Sequence, residues 1–504
     1  MVTKLLSASI EGLDSRRVEV EIDISGGLTA FTIVGLPDNA VKESRERVRT
    51  AISSSGFEFP LKRLTVNLAP ADIKKEGSSY DLPIALGILA EDGLIPAPSA
   101  DTLFAGELSL NGELRPISGG ISIAMLAKSK EIRNVIVPKK NATECAIIEE
   151  VNVYGFDNLY DVIEHIRSDT GVRHKVNFEQ YRDQLNDYAL DFSDVKGQYL
   201  VKRALEIAIG GGHNILMIGP PGAGKSMLAK RVLSIMPRME LDEAIEVSRI
   251  HSVAGLTSGD LVSVRPFRDP HSSISKIGLI GGGTFPRPGE ISLAHKGVLF
   301  LDEFPEFSKA SVEALREPLE NGDITISRAR STVNFPADFI LVAAMNPCPC
   351  GYFNDPYHEC TCSMNEIHRY RKKISGPIMD RIDMHIEVMP VAVEELKERP
   401  QGESSEIIRK RIETVRDIQR GRYKNEKFSE NGNMNDKILE EYCRLGKESE
   451  KLLVDAMKLY RFSARSYKKI LKISRTIADL EGAEEIMPQH LSEALNYRIV
   501  DRGI

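Results

Sequence analysis

The residues Gly219-Pro220-Pro221-Gly222-Ala223-Gly224-Lys225-Ser226 match the eight-position pattern G-x-x-x-x-G-K-[ST] in full. The run before them, Asn214 to Ile218, is apolar and suits a buried parallel strand. The run after them, Met227 to Leu233, suits a helix. A glycine-rich turn between strand and helix aims backbone N–H groups and a positive helix end at one point, where polyphosphate fits. Lys225 would reach the β- and γ-phosphates, and the Ser226 hydroxyl would hold Mg²⁺. The competing reading is a mere glycine-rich turn, and the flanking runs weigh against it.

A second constellation adds hydrolysis. Val298-Leu299-Phe300-Leu301 is apolar and predicts a central strand, and Asp302-Glu303 follows it. Asp302 would coordinate Mg²⁺, and Glu303 would polarise a water for in-line attack on the γ-phosphate. Alone, the pair would read as a solvated acidic turn. About 75 residues after the Lys-Ser pair, it takes the place it has in P-loop ATPases. Phe339 to Ala344 predicts a third apolar strand, ending in Met345-Asn346-Pro347. Asn346 there fits a residue that positions the attacking water and senses the γ-phosphate. Arg381 lies in the charged turn Gly376 to Asp383. It either pairs with Asp380 or Asp383 or acts as an arginine finger on a neighbouring subunit's ATP. Ser463-Ala464-Arg465 opens an amphipathic helix ending near Leu480, from which Arg465 could point at the nucleotide.

Composition bounds the rest. The chain has 504 residues, enough for two to four domains, with 42% hydrophobic and 28% charged residues. Its net charge is −7, so any nucleic-acid surface must be local. No apolar stretch reaches the ~18 residues of a membrane span. The first residues, Met1 to Leu6, lack a signal-peptide core. A cytoplasmic location with no membrane partner is expected, and the six cysteines are not expected to form a disulfide framework.

The elements that must position these residues fall into parts. Residues 1–165 predict an α+β domain. Its strands are read at Val18–Ile24, Arg63–Leu68, Leu103–Leu110 and Asn134–Pro138, and its helices at Glu43–Ser55, Leu82–Ala90 and Gly120–Lys130. Residues 166–190 are polar with little periodicity and read as a linker. Residues 191–390 predict an α/β ATPase core. A break at Glu398 to Glu406 leads into a helical region, 391–504, with Ile408, Ile412 and Val415, and Ile470, Ile473, Ile477 and Leu480, at helical spacing.

Four of the cysteines crowd together as Cys348-Pro349-Cys350 and Cys360-Thr361-Cys362. Two thiolate pairs closing a short loop could bind Zn²⁺ tetrahedrally, as a structural ion. Reduced free thiols and a redox switch are the alternatives. Cys145 and Cys443 are isolated and read as packing residues.

The chain resembles the ComM/YifB family of magnesium-chelatase-like AAA+ ATPases over nearly its whole length. Besides the phosphate loop, the resemblance is carried by Asp194 to Gln198, Gly211 to Asn214, Phe267 to His271, Arg287 to His295, Leu301 to Glu306 and Arg475 to Leu480. It implies a hexameric AAA+ αβα motor with a helical lid, using ATP and Mg²⁺. It further implies sensor-one Asn346, arginine finger Arg381 and sensor-two Arg465, with a role in DNA branch migration during natural transformation. The N-terminal unit resembles the proteolytic domain of Lon-type proteases, on Phe104 to Gly120 and on Glu76-Gly77-Ser78-Ser79. Where that family places its lysine stands Ser122, and the next lysine is Lys128. Without an adjacent base a serine hydroxyl is a weak nucleophile, so no peptidase activity is expected. Ser79 then reads as a loop residue, and the unit as a scaffold or docking platform for a protein partner.

Asp323 to Phe335 carries two alternating runs around Arg328-Ala329-Arg330 and predicts a β-hairpin. Helicase relatives of this motor class carry such a hairpin into a central pore. Arg328 and Arg330 would then contact DNA phosphates; an exposed hairpin with solvated arginines is the alternative. Arg268 to Arg287 is a second candidate pore segment. The basic helix with Arg409, Lys410, Arg411, Arg416 and Arg420 reads as a solvated face or a subunit contact. The function expected is an ATP-driven ring translocase on single-stranded or branched DNA. A chelatase- or chaperone-like motor that remodels a protein is the second reading.

Overall fold

The computed structural model describes residues 2–184, 190–257, 259–283, 286–327, 332–391, 402–426 and 428–498. The chain divides into two units. The first gathers residues 1–185, 240–263 and 327–335; the second gathers 186–239, 264–326 and 336–504.

Strand alternation builds the first unit. Its strands are β1 (Thr3–Glu11), β2 (Asp14–Ser25), β3 (Ala30–Val34), β4 (Arg63–Ala69), β5 (Thr102–Phe104), β6 (Glu107–Leu108), β7 (Leu114–Arg115), β8 (Asn134–Pro138), β9 (Asn152–Phe156) and β10 (Arg173–His174). Eight of them form one mixed sheet in the order β10-β9-β8-β5-β1-β2-β4-β3. In β2, Val18, Val20 and Ile22 are fully buried while the residues between them are not, the period of a strand with one face inward. Phe104 and Ile136 enter one apolar cluster, and Leu103, Val135 and Val137 the other, so both faces of the sheet are covered. On one face the helix Asp81–Glu91 packs so closely that a Cβ on Gly87 would stand 2.6 Å from Ile22. On the other, Gly120–Ser129 packs with Leu241–Val253, and Ser252 Oγ accepts the Gly119 N–H at 2.8 Å.

Several local expectations change. The helix read from Glu43 begins at Asn39, because the Asp38 carboxylate accepts the Val41 N–H at 2.8 Å. The strand read over Leu103–Leu110 splits into β5 and β6, because the Gly106 backbone turns away to bond Ser79 and Leu82. Residues 166–184 carry order: β10 adds to the sheet through β9, and Phe178–Gln184 is helical. Lys128 pairs with Glu150 at 2.6 Å, and Ser122 Oγ donates to the Leu13 carbonyl at 2.5 Å.

The second unit is built on β11 (Ile215–Ile218), β12 (Phe267–Arg268), β15 (Val298–Leu301), β18 (Ile340–Met345) and β19 (Met384–Glu387). They form a parallel sheet in the order β12-β15-β18-β11-β19. The fully apolar β15 and β18 are buried throughout, as central parallel strands are. Outside that sheet, β13 (Gly281–Gly282) pairs antiparallel with β14 (Arg287–Pro288), and β16 (Asp323–Ser327) with β17 (Thr332–Pro336), most of which falls within the first unit's 327–335. The helices Ser405–Arg422, Asp436–Tyr442, Lys447–Tyr460, Ala464–Leu480 and Pro488–Asn496 share one apolar core with the sheet. Ile408, Ile412, Ile470, Ile473 and Ile477 are all buried in it, and Val415 is buried as well. Among the described residues no helix is long and apolar enough to cross a membrane.

Candidate functional site

The phosphate loop runs from the end of β11 into the helix Lys225–Ile235. Glycines are needed at three places. Gly222 and Gly224 have φ of +78° and +92°, and a Cβ on Gly219 would meet the Val388 carbonyl oxygen at 2.1 Å. A Cβ on Gly222 would have nothing within 4 Å, so the turn opens onto free space. Lys225 Nζ donates to the Gly219 and Pro220 carbonyls at 2.6 and 2.9 Å and to Asn346 Oδ1 at 3.2 Å. Burial lowers the pKa of Lys225, opposed by the nearby charges of Asp302 and Glu303. Ser226 Oγ donates to Asp302 Oδ2 at 2.6 Å, and Asp302 Oδ1 accepts the Glu303 N–H at 2.9 Å. Glu303 has φ of +50°, a strained setting for a non-glycine residue that clusters at active sites. Lys225, Ser226, Asp302, Glu303 and Asn346 are therefore brought together, because parallel β11, β15 and β18 end side by side. An oxygen pair from Ser226 and Asp302 beside an open glycine cradle suits Mg²⁺ with a polyphosphate.

Arg381 and Arg465 lie elsewhere. Both line a cleft of about 930 Å³ with Glu320, Asp380, Lys469 and Lys472, and no residue of Gly219–Ser226 lines it. Arg381 pairs with neither Asp380 nor Asp383. Its guanidinium binds Glu320 and the Pro377 carbonyl, the latter at 2.7 Å. Asp380 instead holds Arg465 at 2.7 Å, and Asp383 holds Lys469 at 3.2 Å. Arg465, expected as a nucleotide-facing arginine, is held by Asp380 in this cleft. Ser463 caps the helix Ala464–Leu480, and Arg465 and Lys469 tie its first turns to residues 380–383. Sequence reasoning missed Glu320 and Lys469, which carry no local signal. It also quoted Gln198 without its role: Nε2 donates to the carbonyls of Met389, at 2.6 Å, and Ala223, at 3.3 Å, which braces the phosphate loop.

The four clustered cysteines converge, their sulfurs all within 4.8 Å of one another. Cys348 Sγ lies 3.3 Å from Cys350 Sγ and 3.7 Å from Cys360 Sγ, and the Cys350–Cys360 separation is 3.6 Å. Tetrahedral zinc with four thiolates needs about 3.8 Å between sulfurs. Backbone N–H groups of Phe353 and Cys350 donate to the Cys348 and Cys362 sulfurs, each at 3.3 Å. The donor set fits. Cys145 and Cys443 are buried in the apolar cores.

Of the candidate DNA contacts, Arg328 and Arg330 lie outside the described residues. Arg268 is engaged by Glu290, at 2.5 and 2.8 Å. The basic helix is not simply a solvated face: Arg416 is buried on the Ile209 carbonyl at 2.7 Å, and Arg411 pairs with Glu206 at 2.7 Å. These arginines fasten the helix to Tyr199–Gly211.

Comparison with known proteins places the chain. A family model described as "Magnesium chelatase, subunit ChlI" matches residues 191–396. Related models of the same subunit match 20–141 and, for its C-terminal part, 402–498. The chain is 43% identical over 501 residues to Competence protein ComM of Haemophilus influenzae, covering 97% of this chain and 96% of the relative. It belongs to the ComM/YifB family. To YifB of Escherichia coli it is 41% identical over 495 residues, again 97% and 96%. A more distant match, 24% identical over 306 residues, is the maternal DNA replication licensing factor mcm6 of Xenopus tropicalis, with 58% of this chain and 33% of the relative covered. As a ComM/YifB member the chain is a magnesium-chelatase-like AAA+ ATPase, and ATP with Mg²⁺ is what the family implies.

Proposed function

We propose that this ATPase is a ring motor that drives DNA strands past its pore, as a branch-migration translocase. The observation that supports the ring is that Arg381 and Arg465 share a cleft that no residue of the phosphate loop lines. A complete site then needs a neighbouring copy, and six copies around a pore is the expected closure. Within one chain, Lys225 and the loop N–H groups bind the phosphates of ATP, and Ser226 and Asp302 hold Mg²⁺. Bound there, Mg²⁺ neutralises developing charge on the phosphates. Glu303 takes the proton of the attacking water, and Asn346 orients that water. The neighbour's Arg381 and Arg465 stabilise charge on the leaving phosphates.

DNA as the substrate is supported by relatives whose names speak of competence and of DNA replication licensing, and by the hairpin of β16 and β17 directly ahead of the Asn346 strand. The test is ATPase activity with and without forked DNA, followed by strand exchange on a four-strand junction. No stimulation and no exchange would overturn the reading. The protein-remodelling reading is favoured by the Lon-like α+β unit, where edge strand β3 and its flanks expose Leu28, Val34 and Leu36. Stimulation by a protein partner and not by DNA would select it. The four cysteines hold one structural zinc per chain, measurable by metal analysis; the ion would cross-link the loop and leave no open position for chemistry.

A further inference from the structure

We propose that the four-cysteine loop is a positioning device for the nucleotide site, so that metal occupancy and nucleotide binding are coupled. The inference rests on the reading of that cluster as a zinc site.

Three observations carry it. The first is chain path. Asn346, which accepts from Lys225 Nζ at 3.2 Å, is separated from ligand Cys348 only by Pro347. The second is a close approach. Gly351 has φ of +89°, and a Cβ there would stand 2.7 and 2.9 Å from Pro221 Cδ and Cγ and 4.0 Å from Asn346 Cγ. The backbone between the two cysteine pairs is thus seated on the phosphate loop itself. The third is a shared cavity of about 120 Å³. Gly219 and Pro220 wall it on one side, and Pro347 and Phe353 on the other.

Residues 347–362 contain neither helix nor strand, so no backbone ladder holds their shape. They are tied by Arg371 on the Pro347 carbonyl at 3.2 Å and over the Phe353 ring, by the Gly351 and Asp355 N–H groups on the Cys348 and Tyr352 carbonyls, by a turn in which Asp355 accepts the Tyr357 and His358 N–H groups at 2.8 Å, and by the convergence of the four sulfurs. A metal bound to four thiolates converts that convergence into a cross-link. Loss of the metal frees Gly351 from Pro221 and lets the loop that cradles phosphate relax. Coupling between binding sites is reciprocal, so a nucleotide that orders the phosphate loop must also retain the metal. A zinc ion that served only its own loop would show no such effect.

The experiment uses the full-length zinc-loaded protein and a chromogenic chelator. Zinc release is timed with and without a saturating non-hydrolysable ATP analogue and Mg²⁺. Release is expected to slow about fivefold or more when nucleotide is bound. In Gly351→Ala, which keeps all four thiols, zinc content should stay at the wild-type level while nucleotide protection is lost. Should that variant not fold, the wild-type comparison decides alone. Equal release rates with and without nucleotide overturn the coupling and leave the zinc site standing. A wild-type protein without zinc overturns the metal reading and the coupling with it.

Discussion

In the proposed mechanism Lys225 and Glu303 act on different stages of one reaction, and their neighbours say how to separate them. Lys225 is poised between loop carbonyls and Asn346, so its charge meets phosphate in the ground state. Lys225→Ala should weaken nucleotide binding at least tenfold, read by titration with a fluorescent ATP analogue. Glu303 follows Asp302 and meets Lys225 through charge alone, with no hydrogen bond between the two among the described residues. Glu303→Gln should therefore keep nucleotide affinity and lower kcat by roughly 10²-fold or more, the usual worth of a general base. Wild-type turnover in Glu303→Gln would remove that residue from the reaction. Both placements were legible in the sequence, because each depends on a residue's place at the tip of an apolar strand.

The helix Ala464–Leu480 is fixed to the end of the sheet by a half-buried charge network. Asp383 lies 3.2 Å from Lys469 Nζ and 3.8 Å from His213 Nδ1, and its Oδ2 accepts the Asn214 N–H at 3.1 Å. Burial alone would raise its pKa, but Lys469 and His213 outweigh burial and hold the carboxyl well below the usual range. A carboxyl with a depressed folded pKa contributes stability that is present above its unfolded pKa of about 3.9 and is lost as pH falls through the folded value. The second unit should lose stability progressively below about pH 4. Asp383→Asn should be less stable at pH 7 and show a flatter loss below pH 4, measured by denaturant unfolding. An identical pH profile in the variant would show that the network carries no such weight. Residue periodicity predicted this helix and its buried face; the partners of its charged residues lie about 85 residues back in the chain, beyond any local pattern.

A ring makes predictions that one chain cannot. If Arg381 serves the neighbour's ATP, Arg381→Ala and Lys225→Ala should each be nearly inactive alone. Mixed together, they form some interfaces with an intact phosphate loop on one side and an intact arginine on the other. ATPase activity should reappear on mixing, and a mixture as inactive as its parts would place Arg381 within its own chain's site. The pore makes the second prediction. Arg328→Ala with Arg330→Ala should leave basal ATPase unchanged and remove its stimulation by DNA. Wild-type DNA binding should fall steeply with salt and depend little on base sequence, as phosphate contacts do. DNA affinity unchanged in the double variant would move the contact to another segment, with His271, Lys276 and Arg287 next in line.

Some of this protein is written locally. The phosphate loop, the acidic strand tip, Asn346 and the cysteine spacing each need only a few consecutive residues of the right type, since the backbone turn and strand direction place them. The helical face of Ile470, Ile473 and Ile477 is likewise a matter of period. Tertiary structure alone decided the rest. It set Arg381 on Glu320 and Arg465 on Asp380, gathered residues 240–263 into the first unit, extended order into 166–184, and laid Gly351 on Pro221. Each of these joins residues far apart in the chain or fills a space that some other element leaves. Long-range packing and charge pairing are properties of the assembled core, and a short stretch of sequence does not contain them.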